Sequence, residues 1–284
     1  MRRREALVRF GAIASSLGAA VAGCRRSAAR APAIAERVVS ISASTTETLF
    51  AIGAGGQTVG RSRYCDYPPE AQPLPTVGGY TDPNLEAVLG LRPDLVVGAR
   101  GPIGQSFVRA LEDHGIATYF PETESFSGIM DMVTGMGLRT GRDADAEHLV
   151  GAMRARRAAI EKAVAALPHP RVMLLFASKP VSVAGPGSFT DEMIAMAGGE
   201  NVVTKGAAYP VLPLEAVIAF DPDLIVQAEM GAAPNLDDTW NTVRAVREKK
   251  LVRIDDEAVL RPGPRLLDGV ATLARAFHPG ASIP

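Results

Sequence analysis

Cysteine is nearly absent from this chain. Its 284 residues hold only Cys24 and Cys65, so no network of disulfides can be read into the fold. Histidine is also sparse. His114, His148, His169 and His278 are scattered, without the short spacings that close a zinc site. No G-x-x-x-x-G-K-[ST] loop is present to cradle a nucleotide phosphate, and no G-x-S-x-G turn is present to present a nucleophilic serine. Acid pairs such as Asp237/Asp238 and Asp255/Asp256 read as solvated loop acids or caps rather than catalytic dyads. Cys65 has no neighbours that would mark it as a nucleophile. A strong excess of charge is missing too: the net charge is -1, which does not suit a nucleic-acid partner. These absences argue against an enzyme and against a resident metal or cofactor. What remains is an ordinary globular balance, 47% hydrophobic and 21% charged, long enough for two domains.

The first 30 residues depart from that balance, with seven Arg and one acid. "MRRREALVR" is a positive leader segment and "FGAIASSLGAAVAG" is an uncharged run of 14 residues. As a helix that run spans about 21 Å, too short for the hydrocarbon core of a bilayer. Residues 1–23 therefore read as a signal peptide, for the Sec or the twin-arginine route. The run ends in "VAGC", which resembles a bacterial lipobox with Cys24 as the acylated first residue. Cleavage there removes four Arg and one Glu and leaves 26 basic and 30 acidic residues, a net charge of -4. Cys65 is then the only other cysteine, so no disulfide can form within the chain. Residues 24–36 read as a flexible lipidated tether.

Beyond the tether, strand-length apolar runs alternate with helical segments. "RVVSIS" from Arg37, "DLVVGA" from Asp94 and "IATYF" from Ile116 are strand-like, which predicts a parallel βαβ lobe over residues 37–142. Ser44 and Glu47 have the spacing of a capping box, and Gly53 suits the end of that helix. "RVMLLFA" from Arg171, "DLIVQA" from Asp223, "KKLVRID" from Lys249 and a closing helix over 266–277 repeat the plan in residues 168–284. Between the halves, Leu149, Met153, Ile160, Val164 and Leu167 mark one face of a single helix over 143–167. At about 36 Å it is long for a crossover within one sheet and suits a rod joining two lobes. The expected fold class is α/β, two βαβ lobes joined by one long helix.

One statement is made twice. "LEAVLGLRPDLVV" (85–97) and "LEAVIAFDPDLIV" (214–226) share eight of thirteen positions. A short helix, a proline turn and a buried strand account for most of them. Packing does not account for Glu86 and Glu215. Matched acids on two lobes suit a partner that is itself two-fold.

The run from "RVVSIS" through "YCDYPPEAQ" to "NLEAVLGLRPDLVV" resembles the ABC-importer substrate-binding proteins with a helical backbone, and "AGGENVV" in the second half is shared with that family. Its members bind cobalamin, haem or ferric siderophores in a cleft between two α/β lobes and move little, because the connecting helix is stiff. The resemblance covers Arg37 to about Phe277 and is closest to the cobalamin-binding branch. It implies a binding protein, monomeric, in the periplasm or cell envelope and anchored by lipid at Cys24. Its partners would be the importer's membrane subunits, met by Glu86 and Glu215. It further implies ligand contacts from Tyr64, Tyr80, Tyr209 and Arg261, with Asp256 or Glu257 as the polar neighbour. Cobalamin is the expected cargo, with haem or a ferric siderophore as the alternative. Tyr80 and Tyr209 stand where cobalamin binders tend to carry Trp, and tyrosine is also a ferric-haem ligand. Trp240 reads as a packing residue on a helix. An exported enzyme acting on a metal chelate would need a reactive His or Cys in the cleft, which this sequence does not mark.

Overall fold

The structure is a computed structural model that describes residues 34–101, 103–228 and 236–284. The expected signal peptide, Cys24 and most of the expected tether lie outside the described residues. The last part of the tether does not. Ala35 donates its N–H to Arg139 O, and Glu36 donates to the Asp94 carboxylate. The folded body therefore begins at least two residues earlier than the sequence suggests.

In the first half, β1 (Val38–Ser40), α1 (Ala43–Ala51), β2 (Thr58–Arg61), α2 (Leu85–Gly90), β3 (Leu95–Val97), α3 (Gln105–Asp113), β4 (Ala117–Tyr119) and α4 (Phe126–Thr140) follow one another. The four strands form a fully parallel sheet in the order β2-β1-β3-β4. The connecting helix α5 (Asp143–Val164) has 22 residues, about 33 Å. Met153, Ile160 and Val164 are buried along it, as the spacing predicts, and Leu149 and Leu167 pack at its edge. That face joins one continuous core with Met132 and Met136 of α4 and with residues of the second half.

The second half runs β5 (Arg171–Ser178), β6 (Val181–Val183), α6 (Phe189–Met196), β7 (Glu200–Asn201), β8 (Val211–Leu212), α7 (Leu214–Phe220), β9 (Leu224–Gln227), α8 (Arg244–Arg247), β10 (Leu251–Arg253) and α9 (Leu266–Phe277). Its sheet is mixed, in the order β10-β9-β5-β6-β8 with β7 also on β5. β10, β9 and β5 are parallel, whereas β6 is antiparallel to both of its neighbours, β5 and β8. The second half is thus only partly the parallel repeat expected. Lys179 and Pro180 alone separate β5 from β6, and a two-residue connection can only return the chain antiparallel. Trp240 is buried as expected, on a 3-10 turn over Asp238–Thr242 rather than an α-helix.

The repeated motif builds the same corner twice. Pro93 and Pro222 are buried. The residue before each proline has positive φ, 47° at Arg92 and 44° at Asp221, the left-handed conformation in which a helix often ends. The motif's Asp caps the start of the half's first strand: Asp94 accepts from Arg37 N and Asp223 from Arg171 N, both at 3.1 Å. The arginine of that strand reaches back to the helix's last carbonyls. Arg37 donates to Arg92 O and Leu91 O, and Arg171 donates to Asp221 O and Phe220 O. The amide satisfied by the motif's aspartate belongs to a strand more than 50 residues away, not to the turn itself.

Candidate functional site

Parallel strands present their carboxyl ends and the following loops on one edge, which is where open α/β sheets form crevices. Here both sheets turn that edge toward a shared cavity of about 660 Å³. The first half supplies Ser42 after β1, Tyr64 after β2, Ala99 and Arg100 after β3, and Glu124 after β4. The second half supplies Phe189, Tyr209 and Arg261. Four of the six residues expected at a ligand site are thereby brought together: Tyr64, Tyr80, Tyr209 and Arg261. Asp256 and Glu257 are not among the lining residues. Asp256 uses its carboxylate to cap its own turn, accepting from Ala258 N, and to accept from Thr272. Glu257 is the acid that pairs with Arg261.

Two glycines let the tyrosines sit where they do. A Cβ at Gly101 would collide with the Tyr80 hydroxyl, and one at Gly185 would collide with Ala207 O in the loop carrying Tyr209. The Tyr80 hydroxyl donates to Arg100 O at 3.4 Å. Tyr209 tilts against Phe176 with ring centroids 5.7 Å apart. Tyr64 lies 5.2 Å beneath the Arg63 guanidinium and is 51% exposed. The site therefore offers aromatic faces at different depths, from the open Tyr64 to the half-buried Tyr80.

Arg261 links the cleft to an ion cluster that sequence reasoning missed. Glu47, 3% exposed, is not part of a capping box. The cap of α1 is Ser42, whose hydroxyl accepts from Thr45 N and also from Ala99 N. Glu47 points across to the other half. It accepts from Arg265 Nε at 2.9 Å and Nη2 at 2.8 Å, and from Arg261 Nη1 at 3.2 Å. Arg261 also bonds Asp66 at 2.9 Å and Glu257. Arg265 lies over the Tyr67 ring, 3.8 Å from its centroid. Burial works against the charge on Arg261, yet its hydrogen bonds to Asp66 and Glu47 outweigh this and raise its pKa. For Asp66, burial pulls the carboxyl up and the Arg261 guanidinium overcomes it, leaving the pKa below the usual range. The available signal was the run "SASTTET", an unusually polar helix start whose polar side chains all prove buried.

A second contact crosses the cleft near its rim. Glu124 Oε2 accepts from Tyr209 Oη at 2.5 Å and from Phe189 N at 3.4 Å. Nearby, Glu192 of α6 accepts from Phe126 N at the start of α4, at 2.6 Å. Each half thus offers a glutamate to the first helical amide of the other. Burial raises the Tyr209 phenol pKa well above its ordinary value, and the bond to Glu124 raises it further. Burial also raises that of Tyr80, with the charges of Glu124 and Glu122 adding to the effect.

Glu86 and Glu215 both stand exposed in the first turn of their helices, α2 and α7, two positions ahead of the buried Val88 and Val217. Neither has an ion pair among the described residues. Cys65 is buried beside Ser62. His114 caps α3 and is bonded to Ala110 O, and His278 is bonded to Ala197 O. Among the described residues, no cluster of three or more His, Cys, Asp or Glu could hold a metal ion, and no helix is long and apolar enough to cross a membrane.

The model of the periplasmic binding protein family matches residues 38–258. A cobalamin-binding protein of Halobacterium salinarum is 31% identical over 259 residues, covering 86% of this chain and 69% of the relative. An ABC-transporter substrate-binding lipoprotein of Bacillus subtilis is 27% identical over 253 residues, covering 86% and 80%. Among solved structures, a periplasmic heme-binding protein from Pseudomonas aeruginosa superposes with a TM-score of 0.80 at 27% identity, covering 88% of this chain and 95% of that one.

Proposed function

The chain belongs to the periplasmic binding protein family, and from that premise we propose that it captures cobalamin in the cleft and delivers it to the membrane subunits of an ABC importer. The observation that carries this reading is the cavity of about 660 Å³ at the carboxyl edges of both sheets, faced by Tyr64, Tyr80 and Tyr209. A flat, bulky macrocycle is held well by aromatic faces on opposite walls. Delivery rests on Glu86 and Glu215, which occupy the same place in the two copies of one corner and are free of intramolecular partners among the described residues. The relative from Bacillus subtilis supports an ABC-importer role and a lipid anchor. In this reading Cys24 is acylated and the mature protein is a monomer tethered in the cell envelope.

A second reading, haem, is favoured by the heme-binding structural relative. The electrostatics of the cleft weigh against it. Ligation of ferric haem by tyrosine requires a phenolate, and burial together with Glu124 raises the phenol pKa values of Tyr80 and Tyr209, which adds to the cost of forming one.

The test is titration of the mature protein without Cys24 with cyanocobalamin and with haemin, followed by calorimetry and visible spectra. Micromolar or tighter binding of cyanocobalamin, with haemin clearly weaker, is expected. A tyrosinate-type haemin spectrum with no cobalamin binding would overturn the cargo assignment. For the anchor, Cys24→Ser should release the protein from the membrane fraction.

A further inference from the structure

Glu124 is a carboxylate in the wall of the cleft. Among the described lining residues the cations are Arg100 and Arg261. Arg261 faces three acids, Glu47, Asp66 and Glu257, so its charge is committed. Arg100 is exposed and has no ion pair among the described residues. Glu124 uses Oε2 for Tyr209 and Phe189, leaving Oε1 unbonded among the described residues. Resting on the reading of this cleft as a metal-macrocycle site, we propose that Glu124 determines specificity, selecting macrocycles whose rim carries neutral amide donors over those whose rim carries carboxylates.

The physical argument concerns what each rim brings to a half-buried carboxylate. Primary amide N–H groups donate to it in charge-assisted hydrogen bonds. A carboxylate rim places like charge beside it, and such juxtaposition in an interface is unfavourable. Discrimination of this kind is repulsive and does not require better contacts for the chosen ligand. The ion cluster reinforces it, because Arg261 has no unsatisfied charge to attract an anion.

The experiment compares the mature wild type with Glu124→Gln and Glu124→Asp. The probes are cyanocobalamin, each of its monocarboxylates, in which one peripheral amide is replaced by an acid, and haemin. Glutamine keeps an oxygen for the Tyr209 hydroxyl, so thermal unfolding should show an intact fold. In Glu124→Gln the preference for cyanocobalamin over at least one monocarboxylate should fall by about tenfold or more, and haemin should bind about tenfold more tightly. Glu124→Asp keeps the charge and should keep the preference. Unchanged ratios in Glu124→Gln, or their loss in Glu124→Asp, overturn the proposal even if cyanocobalamin binds well. If the wild type prefers haemin, the cobalamin reading falls. The proposal then stands only if Glu124→Gln tightens haemin further. Failure of all three probes with every variant overturns both.

Discussion

The two halves of this chain agree where they build a corner and diverge where they face each other. Arg37 and Arg171, Pro93 and Pro222, and Asp94 and Asp223 form the same hydrogen-bonded junction of strand and helix. At the cleft the halves are complementary rather than alike. The first half brings the acids Glu47, Asp66 and Glu124; the second brings Arg261, Arg265 and the Tyr209 hydroxyl. Repetition therefore marks what each half needs on its own and what a two-fold partner can meet. Difference marks what the halves need from one another.

The complementary side of this comparison should break most easily at Glu47. Glu47→Leu leaves Arg265 without its carboxylate partner and Arg261 with one fewer, inside a largely buried cluster. We expect a loss of about 3 kcal/mol in urea unfolding. An unchanged midpoint would mean that the cluster adds nothing to holding the halves together.

The repeated side should respond less, and in both copies. Asp94→Ala and Asp223→Ala each uncap the amide of a first strand, at a cost of about 1 kcal/mol apiece. A cost confined to one copy would show that the two corners are equivalent only in shape.

Acid should weaken the clasp between the halves. The Asp66 pKa is lower in the folded protein than its ordinary 3.8. The stability it contributes is therefore present above about pH 4 and is lost as pH falls through the folded value. Asp66 is 56% exposed at its side chain, so solvent screening keeps the effect small. Asp66→Asn should flatten the acid limb of the unfolding curve below about pH 4. An identical limb in wild type and variant would remove Asp66 from the account.

The smallest effect on the isolated protein is expected at the repeated acids. Glu86→Arg with Glu215→Arg should leave unfolding and ligand affinity unchanged while abolishing uptake in cells that depend on the importer. Normal uptake by the double variant would detach these residues from delivery.

Much of the fold was legible in the sequence because it depends on periodicity. The 3.6-residue spacing of Met153, Ile160 and Val164 marks the long helix, and short β-branched runs such as "RVVSIS" mark the parallel strands. The duplicated "LEAV…PDL" pointed to two related halves and to Glu86 and Glu215. Tyr64, Tyr80, Tyr209 and Arg261, which the resemblance implied, line one cavity, since the resemblance runs through their loops. Short β6 and β8 left no comparable pattern, so the mixed second sheet was not foreseen.

Contacts between residues far apart in the chain were decided by tertiary structure alone. In sequence, Glu47 three residues after Ser44 looks like a local cap. Its actual partners lie 214 and 218 residues away, because Ser42 already caps α1 and frees Glu47 to cross the cleft. Asp256 and Glu257 were indistinguishable as neighbours of Arg261 until a turn committed one to its own backbone and brought the other within reach of the arginine. Glu124 carries no motif, and its role follows from the tyrosine opposite. Periodic burial is written along a single element, whereas a charge's partner is chosen only when two elements meet.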